Sequence, residues 1–465
     1  MSGKIEKKIG VGNIIGLGVG GSVGAGIFVT LGSAIALTGR SVVPITILCV
    51  FYMLLAYWYN LALSSIFIIK GGDYSMRGML LSPLLTGYGG WTNVIWAFGF
   101  TGYSMALTHY LGSLWPVLIE HEMAVSLVIL SLHFLLTIRG NRIVTLFQNV
   151  ATALLVMAMA LFIVLGLPEV NFSVFFDPAV DGGFFHGGVA GIISAVAIMG
   201  FACQGTTMGP VGVVPIAKDP KRSIPYGIIY TCLVVSVIYG LMSLVASGIL
   251  PYDQIAGKNL SVVASSFLSH GPFVFFIIGG GVCAIISSFL SVLVMIREPL
   301  VQMGNDGWLP GFLKRQNKNH YPYGAYLLVY VLAAIPIITK MDFNNVISML
   351  MIPCMFINAY LNVACIKIPK LYPEQFANRS LPLSLGVYKA CFILGGFSAF
   401  MVAVTLLKDM QAQDAVVALI VLVVPLALSY LALKTGRVDR AVLLKRRQEI
   451  IDEETRGCLL RHAVT

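Results

Sequence analysis

Charge is what this sequence has least of. Only 11% of its 465 residues are Asp, Glu, Lys or Arg, while 58% are hydrophobic. A soluble domain carries about 25% charged residues, so the chain lacks the polar surface that would keep it in water. Paired cysteines are missing too. The eight, Cys49, Cys203, Cys232, Cys283, Cys354, Cys365, Cys391 and Cys458, form no CxxC motif and lie mostly in apolar stretches. They are expected to pack as small hydrophobes, not to bind metal or form disulfides. No HExxH motif and no pair of intramembrane carboxylates suggests an enzyme buried in a bilayer. The basic start (Lys4, Lys7, Lys8) leads into an apolar segment too long for a signal-peptide core, with no small-residue cleavage pattern.

Long apolar runs are abundant. They centre on residues 10–37, 41–69, 84–118, 123–138, 143–167, 184–217, 223–250, 270–300, 321–340, 343–366, 383–407 and 413–434. Most are long enough to cross roughly 30 Å of hydrocarbon as helix. Threading the chain with its N-terminus in the cytoplasm leaves only Arg40, Lys258, Lys340 and Lys408 outside, out of 30 Lys and Arg. The acidic residues divide almost evenly, as expected of a rule that counts Lys and Arg and not net charge. The expectation is an all-α polytopic membrane protein with twelve transmembrane helices and both ends cytoplasmic, in the plasma or inner membrane. The net charge of +10 then faces the cytoplasm, and a nucleic acid partner is not needed to explain it.

Two of the twelve segments are interrupted. The first reads GLGVGGSVGAGIF from Gly16 to Phe28 and the sixth IMGFACQGTTMGPVG from Ile198 to Gly212. Gly16, Gly18 and Gly21 fit GxGxxG, but no strand precedes them and no acidic residue follows about 20 positions later, so a dinucleotide loop is excluded. Close helix packing explains Gly16 to Gly20, which fit GxxxG. It explains GSVGAG less well, because clustered glycine and serine free the backbone itself. Unpaired backbone groups cost several kcal/mol each in hydrocarbon and survive only beside a cavity or inside protein. A helix broken there would offer the amides of Gly24, Ala25 and Gly26 to a carboxylate, aided by the helix dipole. The carbonyls of Gly21 and Ser22 would accept an ammonium group, so the chemistry suits a zwitterion. Matched breaks in two halves point to an inverted-repeat transporter with a midplane site. Residues 10–167 and 184–367 would be the repeats, with 383–434 as two added helices between the cytoplasmic ends 1–9 and 435–465.

GSVGAGIFVTLG at Gly21–Gly32, AKDPKRSIP at Ala217–Pro225 and NDGWLP at Asn305–Pro310 together resemble the amino acid–polyamine–organocation superfamily of amino acid permeases. The resemblance implies the LeuT-type fold, a 5+5 inverted repeat with discontinuous helices 1 and 6, and secondary transport of amino acids by alternating access. It matches Ala25 and Gly26 to the amides that hold the substrate carboxylate, and Ser22 to a carbonyl for the amino group. Phe201 matches the aromatic gate of helix six, followed by Ala202, Cys203, Gln204 and Gly205 as its unwound stretch. The lysine that proton-coupled members place in helix five is replaced by Leu155, while Ser287 and Ser288 fall near the hydroxyl ligands of sodium-coupled members. Sodium coupling and ion-free exchange both stay open, and no other cofactor is implied. No charged side chain lies near either break, so a neutral amino acid is the expected substrate and an amine or polyamine the alternative. Elsewhere, Asp73 is expected to cap the third helix, His109 to form an interhelical hydrogen bond and His133 to be structural. Oligomeric state is not legible in the sequence.

Overall fold

A computed structural model describes residues 9–69, 72–138, 141–177, 179–181, 183–317 and 321–462. The expected N-terminal segment 1–9 therefore lies outside the described residues except for Ile9. The described residues are almost wholly helical, and no strand longer than an isolated bridge occurs among them. This suits hydrocarbon, where a helix satisfies its own backbone without water. Among the described residues, eight helical stretches are long and apolar enough to cross a membrane. The twelve expected spans are not twelve unbroken helices, because several apolar segments are cut into shorter pieces.

The first segment forms α1 (Val11–Ser22) and α2 (Ala25–Thr38). The second forms α3 (Val42–Ala56) and α4 (Trp58–Ile66), followed by a short helix α5 (Gly72–Gly78). The third is also divided, into α6 (Pro83–Ile95) and α7 (Ala97–Gly112). The sixth gives α8 (Gly188–Cys203) and α9 (Gly205–Gly212), and the seventh a single long helix, α10 (Pro220–Gly248). Later elements used below are α11 (Cys283–Met295), α12 (Arg297–Asp306), α13 (Phe343–Cys365) and α14 (Arg440–His462). A parallel bridge ties the start of the chain to the segment before α10: Ile9 N–H donates to the Ile216 carbonyl at 2.9 Å, and Lys218 N–H to the Ile9 carbonyl at 2.8 Å.

Contacts sort the glycines of α1. A Cβ at Gly18 would lie 2.6 Å from Thr231 Oγ1 on α10, so Gly18 is there for close approach. Gly16 has nothing within 4 Å and Gly20 meets Thr152 only at 3.4 Å. The close-packing glycine of the stripe is thus Gly18, not the Gly16–Gly20 pair.

Asp73 does not cap the third helix. It lies within α5, where its carboxylate pairs with Arg77 one turn later at 2.8 Å and accepts from the Tyr59 hydroxyl at 2.9 Å. Both charged groups are buried, and a buried charge is tolerated when it is paired and hydrogen-bonded. His109 finds Glu122 at 3.0 Å on the helix Glu122–Ile138. His133 donates from Nδ1 to the Ile129 carbonyl at 2.7 Å and stacks on Phe289, as a structural histidine would.

Candidate functional site

The first break is abrupt. Val23 N–H still donates to the Val19 carbonyl at 2.7 Å, closing α1. Gly24 then leaves helical geometry (φ −63°, ψ −130°) and α2 begins at Ala25. Of Ala25 only the backbone is described. Amides at the start of α2 have no preceding turn to receive them, as at any helix N-terminus. The Ser22 hydroxyl folds back on the Gly18 carbonyl at 2.8 Å.

The second break is shallower than the sequence suggested. Only Gln204 is non-helical, and even its dihedrals are α-like (φ −59°, ψ −38°). Ala202 and Cys203 end α8 and Gly205 opens α9, so the expected four-residue unwound stretch is one residue long. Side chains explain this. Thr206 donates to the Cys203 carbonyl at 2.7 Å and Thr207 to the Gln204 carbonyl at 3.2 Å. Gln204 itself is buried, its Oε1 accepting from Tyr57 at 2.8 Å and its Nε2 facing Met351 Sδ at 2.9 Å. Such local bonds offer the backbone an alternative partner without unwinding it.

The two breaks face each other. A Cβ at Gly205 would sit 2.6 Å from the Gly21 carbonyl carbon and oxygen and 2.7 Å from Ser22 N. A Cβ at Gly26 would run into Ala202, 2.7 Å from its Cβ and closer to its Cα. Both glycines are thus required by backbone-to-backbone approach. Ser288 on α11 reaches the same place from a third side, with its Oγ occupying the position a side chain on Gly24 would need. Ser287, one residue earlier, is buried and its hydroxyl has no partner among the described residues. Phe201 is buried with its ring centroid 5.7 Å from Tyr103 on α7. Cys203 Sγ lies 3.8 Å from Cys49 Sγ, both free thiols.

Two further residues support this region, and neither stood out in the sequence. The buried Tyr239 hydroxyl of α10 lies 2.6 Å from the Ser22 carbonyl and 2.8 Å from that of Ala202. It therefore joins the two breaks. The other is Asn362 on α13. Its Oδ1 accepts from Tyr59 N–H at 3.1 Å and its Nδ2 donates to the Ala56 carbonyl at 2.9 Å, spanning the interruption at Tyr57 between α3 and α4. No Asp, Glu, Lys or Arg occurs anywhere in the chain stretches that form either break.

The sequence matches the family described as "Amino acid permease" over residues 9–427. The chain belongs to the amino acid permease family. The permease is 25% identical over 245 residues to a methylthioribose transporter of Bacillus subtilis (strain 168), covering 52% of this chain and 51% of that protein. It is 27% identical over 220 residues to a branched-chain amino acid permease of Lactococcus lactis subsp. cremoris (strain MG1363), 46% of each chain. A cationic amino acid transporter of Arabidopsis thaliana is 28% identical over 156 residues, 33% of the permease and 25% of that protein. The matched stretches thus span about half the length or less of these relatives. Family and relatives are transporters, not enzymes, and the permease is an integral membrane protein.

Proposed function

We propose that this permease is a secondary transporter of neutral amino acids. It would work by alternating access through twelve spans in a 5+5 inverted repeat of the LeuT type, in the plasma or inner membrane with both termini cytoplasmic. The observation that carries the reading is the meeting of the two breaks, Gly205 on Gly21–Ser22 and Gly26 on Ala202. Two interrupted helices in backbone contact bring helix-end amides and carbonyls to one place without any side-chain charge. The amides of Gly24, Ala25 and Gly26 hold the substrate carboxylate at the positive end of α2. The carbonyls of Gly21 and Ser22 take its ammonium group. Gly205 lies on the Gly21 carbonyl, so that acceptor opens to substrate as α1 and α9 move apart. Phe201 and Tyr103 close over the side chain, and the neutral surroundings disfavour a cationic or anionic one.

Purified permease in liposomes preloaded with candidate amino acids, assayed for radiolabelled counterflow with and without Na⁺ and a pH gradient, tests this directly. Uptake of neutral amino acids is expected. Uptake confined to amines or polyamines would overturn the carboxylate site, and no uptake of any amino acid would overturn the reading as a whole. Sodium dependence lost in Ser287→Ala and Ser288→Ala would assign the ion to that hydroxyl pair. Sodium-independent uptake that needs internal amino acid would establish exchange.

A further inference from the structure

The cytoplasmic end of the molecule carries a second constellation, unrelated to the breaks. It is built on NDGWLP and on the helix after the last apolar segment. Asp306 ends α12, and its side chain is almost fully buried. Arg446 of α14 reaches it as a two-pronged fork, Nη1 to Oδ2 at 2.6 Å and Nη2 to Oδ1 at 2.7 Å. Tyr74 of α5 donates to the same carboxylate at 2.6 Å and receives the Trp308 indole N–H at 2.8 Å. Burial first, and the Asp306 charge next, push the Tyr74 hydroxyl well up, so it stays protonated and remains a donor.

Two more arginines act in parallel. Arg437 donates to the carbonyls of Gly307 at 3.0 Å and Trp308 at 2.8 Å. Arg447 donates to Gly78 at 2.8 Å and Leu81 at 2.7 Å, which are carbonyls at and beyond the end of α5. Charge-assisted and forked bonds of this kind are the strong ones. Arg446 and Arg447 of α14 thus fasten α5 and Asp306 to that helix, and Arg437, in the bend before it, fastens the turn after α12.

The helix they fasten is placed to matter. α5 packs against α9, the second half of the interrupted sixth segment, and against α12. Through Asp73 it also holds Tyr59, and through Arg77 it reaches Asn358 on α13 at 3.4 Å. Any movement that separates α9 from α12 on the cytoplasmic side has to pull α5 from one of them. We propose that α14 is a cytoplasmic latch: Arg446 on Asp306, flanked by Arg437 and Arg447, holds α5 between α9 and α12 and keeps that side of the permease closed until the latch releases. The latch rests on the transport reading for its purpose, but its closure can be measured without a substrate.

The test compares full-length wild-type permease with Arg446→Gln, Arg437→Gln and the charge-swapped pair Arg446→Asp with Asp306→Arg. Hydrogen–deuterium exchange is followed at residues 72–81 and 11–22. Release should raise exchange in both segments roughly fivefold in Arg446→Gln, the low end of typical coupling between sites, and the swapped pair should return it toward wild type. Counterflow in liposomes should rise with it. A helix that merely anchors the tail would quicken exchange in α14 alone, and that result overturns the latch, as does unchanged or slower exchange at 72–81. If Arg446→Gln aggregates on size exclusion, Arg437→Gln decides, because it removes only bonds to backbone carbonyls. Faster exchange in both segments without transport of any amino acid would keep the latch and discard the substrate reading.

Discussion

Tyr239→Phe tests whether the two breaks act as a unit. The change removes one oxygen and keeps the ring, so packing is preserved. The hydroxyl lies 2.6 Å from the Ser22 carbonyl and 2.8 Å from the Ala202 carbonyl, yet it has one proton and donates fully to one of them at a time. Its loss removes one hydrogen bond and leaves a carbonyl buried with no donor, a penalty of about 1–3 kcal/mol. If the bond is made only while the breaks adjoin, that energy shifts the balance between adjoining and parted arrangements by a factor of roughly 5–150. Substrate affinity should change by a factor in that range, read by equilibrium binding of the amino acid that gives counterflow. The melting midpoint of the purified permease should fall alongside it. Tyr110→Phe is the control. Its hydroxyl donates to the Phe28 carbonyl at 2.7 Å, inside α2 and with no bond to the other break, so it should lower the midpoint and leave affinity alone. Unchanged affinity in Tyr239→Phe, or equal effects in the two variants, would refute the reasoning.

Other changes should separate the glycines and the buried charges. Gly26→Ala puts a Cβ against the Ala202 backbone, where overpacking costs about 1–3 kcal/mol, and should abolish measurable binding while expression in the membrane persists. Gly21→Ala meets nothing within 4 Å and should keep binding; equal loss in both would show that crowding is not the cause. Asp73→Asn leaves Arg77 buried without its counter-charge and should destabilise by about 3–5 kcal/mol, seen as a lower denaturation midpoint that Asp73→Asn with Arg77→Met largely restores. Asn362→Ala removes both bonds across the Tyr57 interruption and should quicken deuterium exchange at residues 56–60, while unaltered exchange would mean the interruption holds itself.

The sequence showed the first break because its cost was visible: GSVGAG spends helix stability where no packing partner explains it. The second was expected to unwind over Ala202–Gly205 but interrupts the helix only at Gln204, whose carbonyl still accepts the Thr207 and Met208 amides. Tyr239 and Asn362 were invisible for a different reason. A tyrosine or asparagine in an apolar run reads the same whether it bridges two backbones or fills space, and only the partner 217 or 303 positions away distinguishes them. The interruption at Tyr57 carries no glycine or proline, because it is held from outside by Asn362 and not released from within. Asp73 and Arg77 were four residues apart in plain view, but a loop with one acid and one base also suits a solvated turn.

The spacing of the ion pairs has a consequence for how the chain is made. Asp73 and Arg77 lie on one turn, so they neutralise each other as soon as α5 forms. Asp306 must wait for a residue 140 positions later. Until Arg446 emerges, the ribosome-bound chain carries a carboxylate with no arginine fork, in a place the finished protein buries. A chain halted before Arg446 therefore lacks the fork that ties α14 to the end of α12.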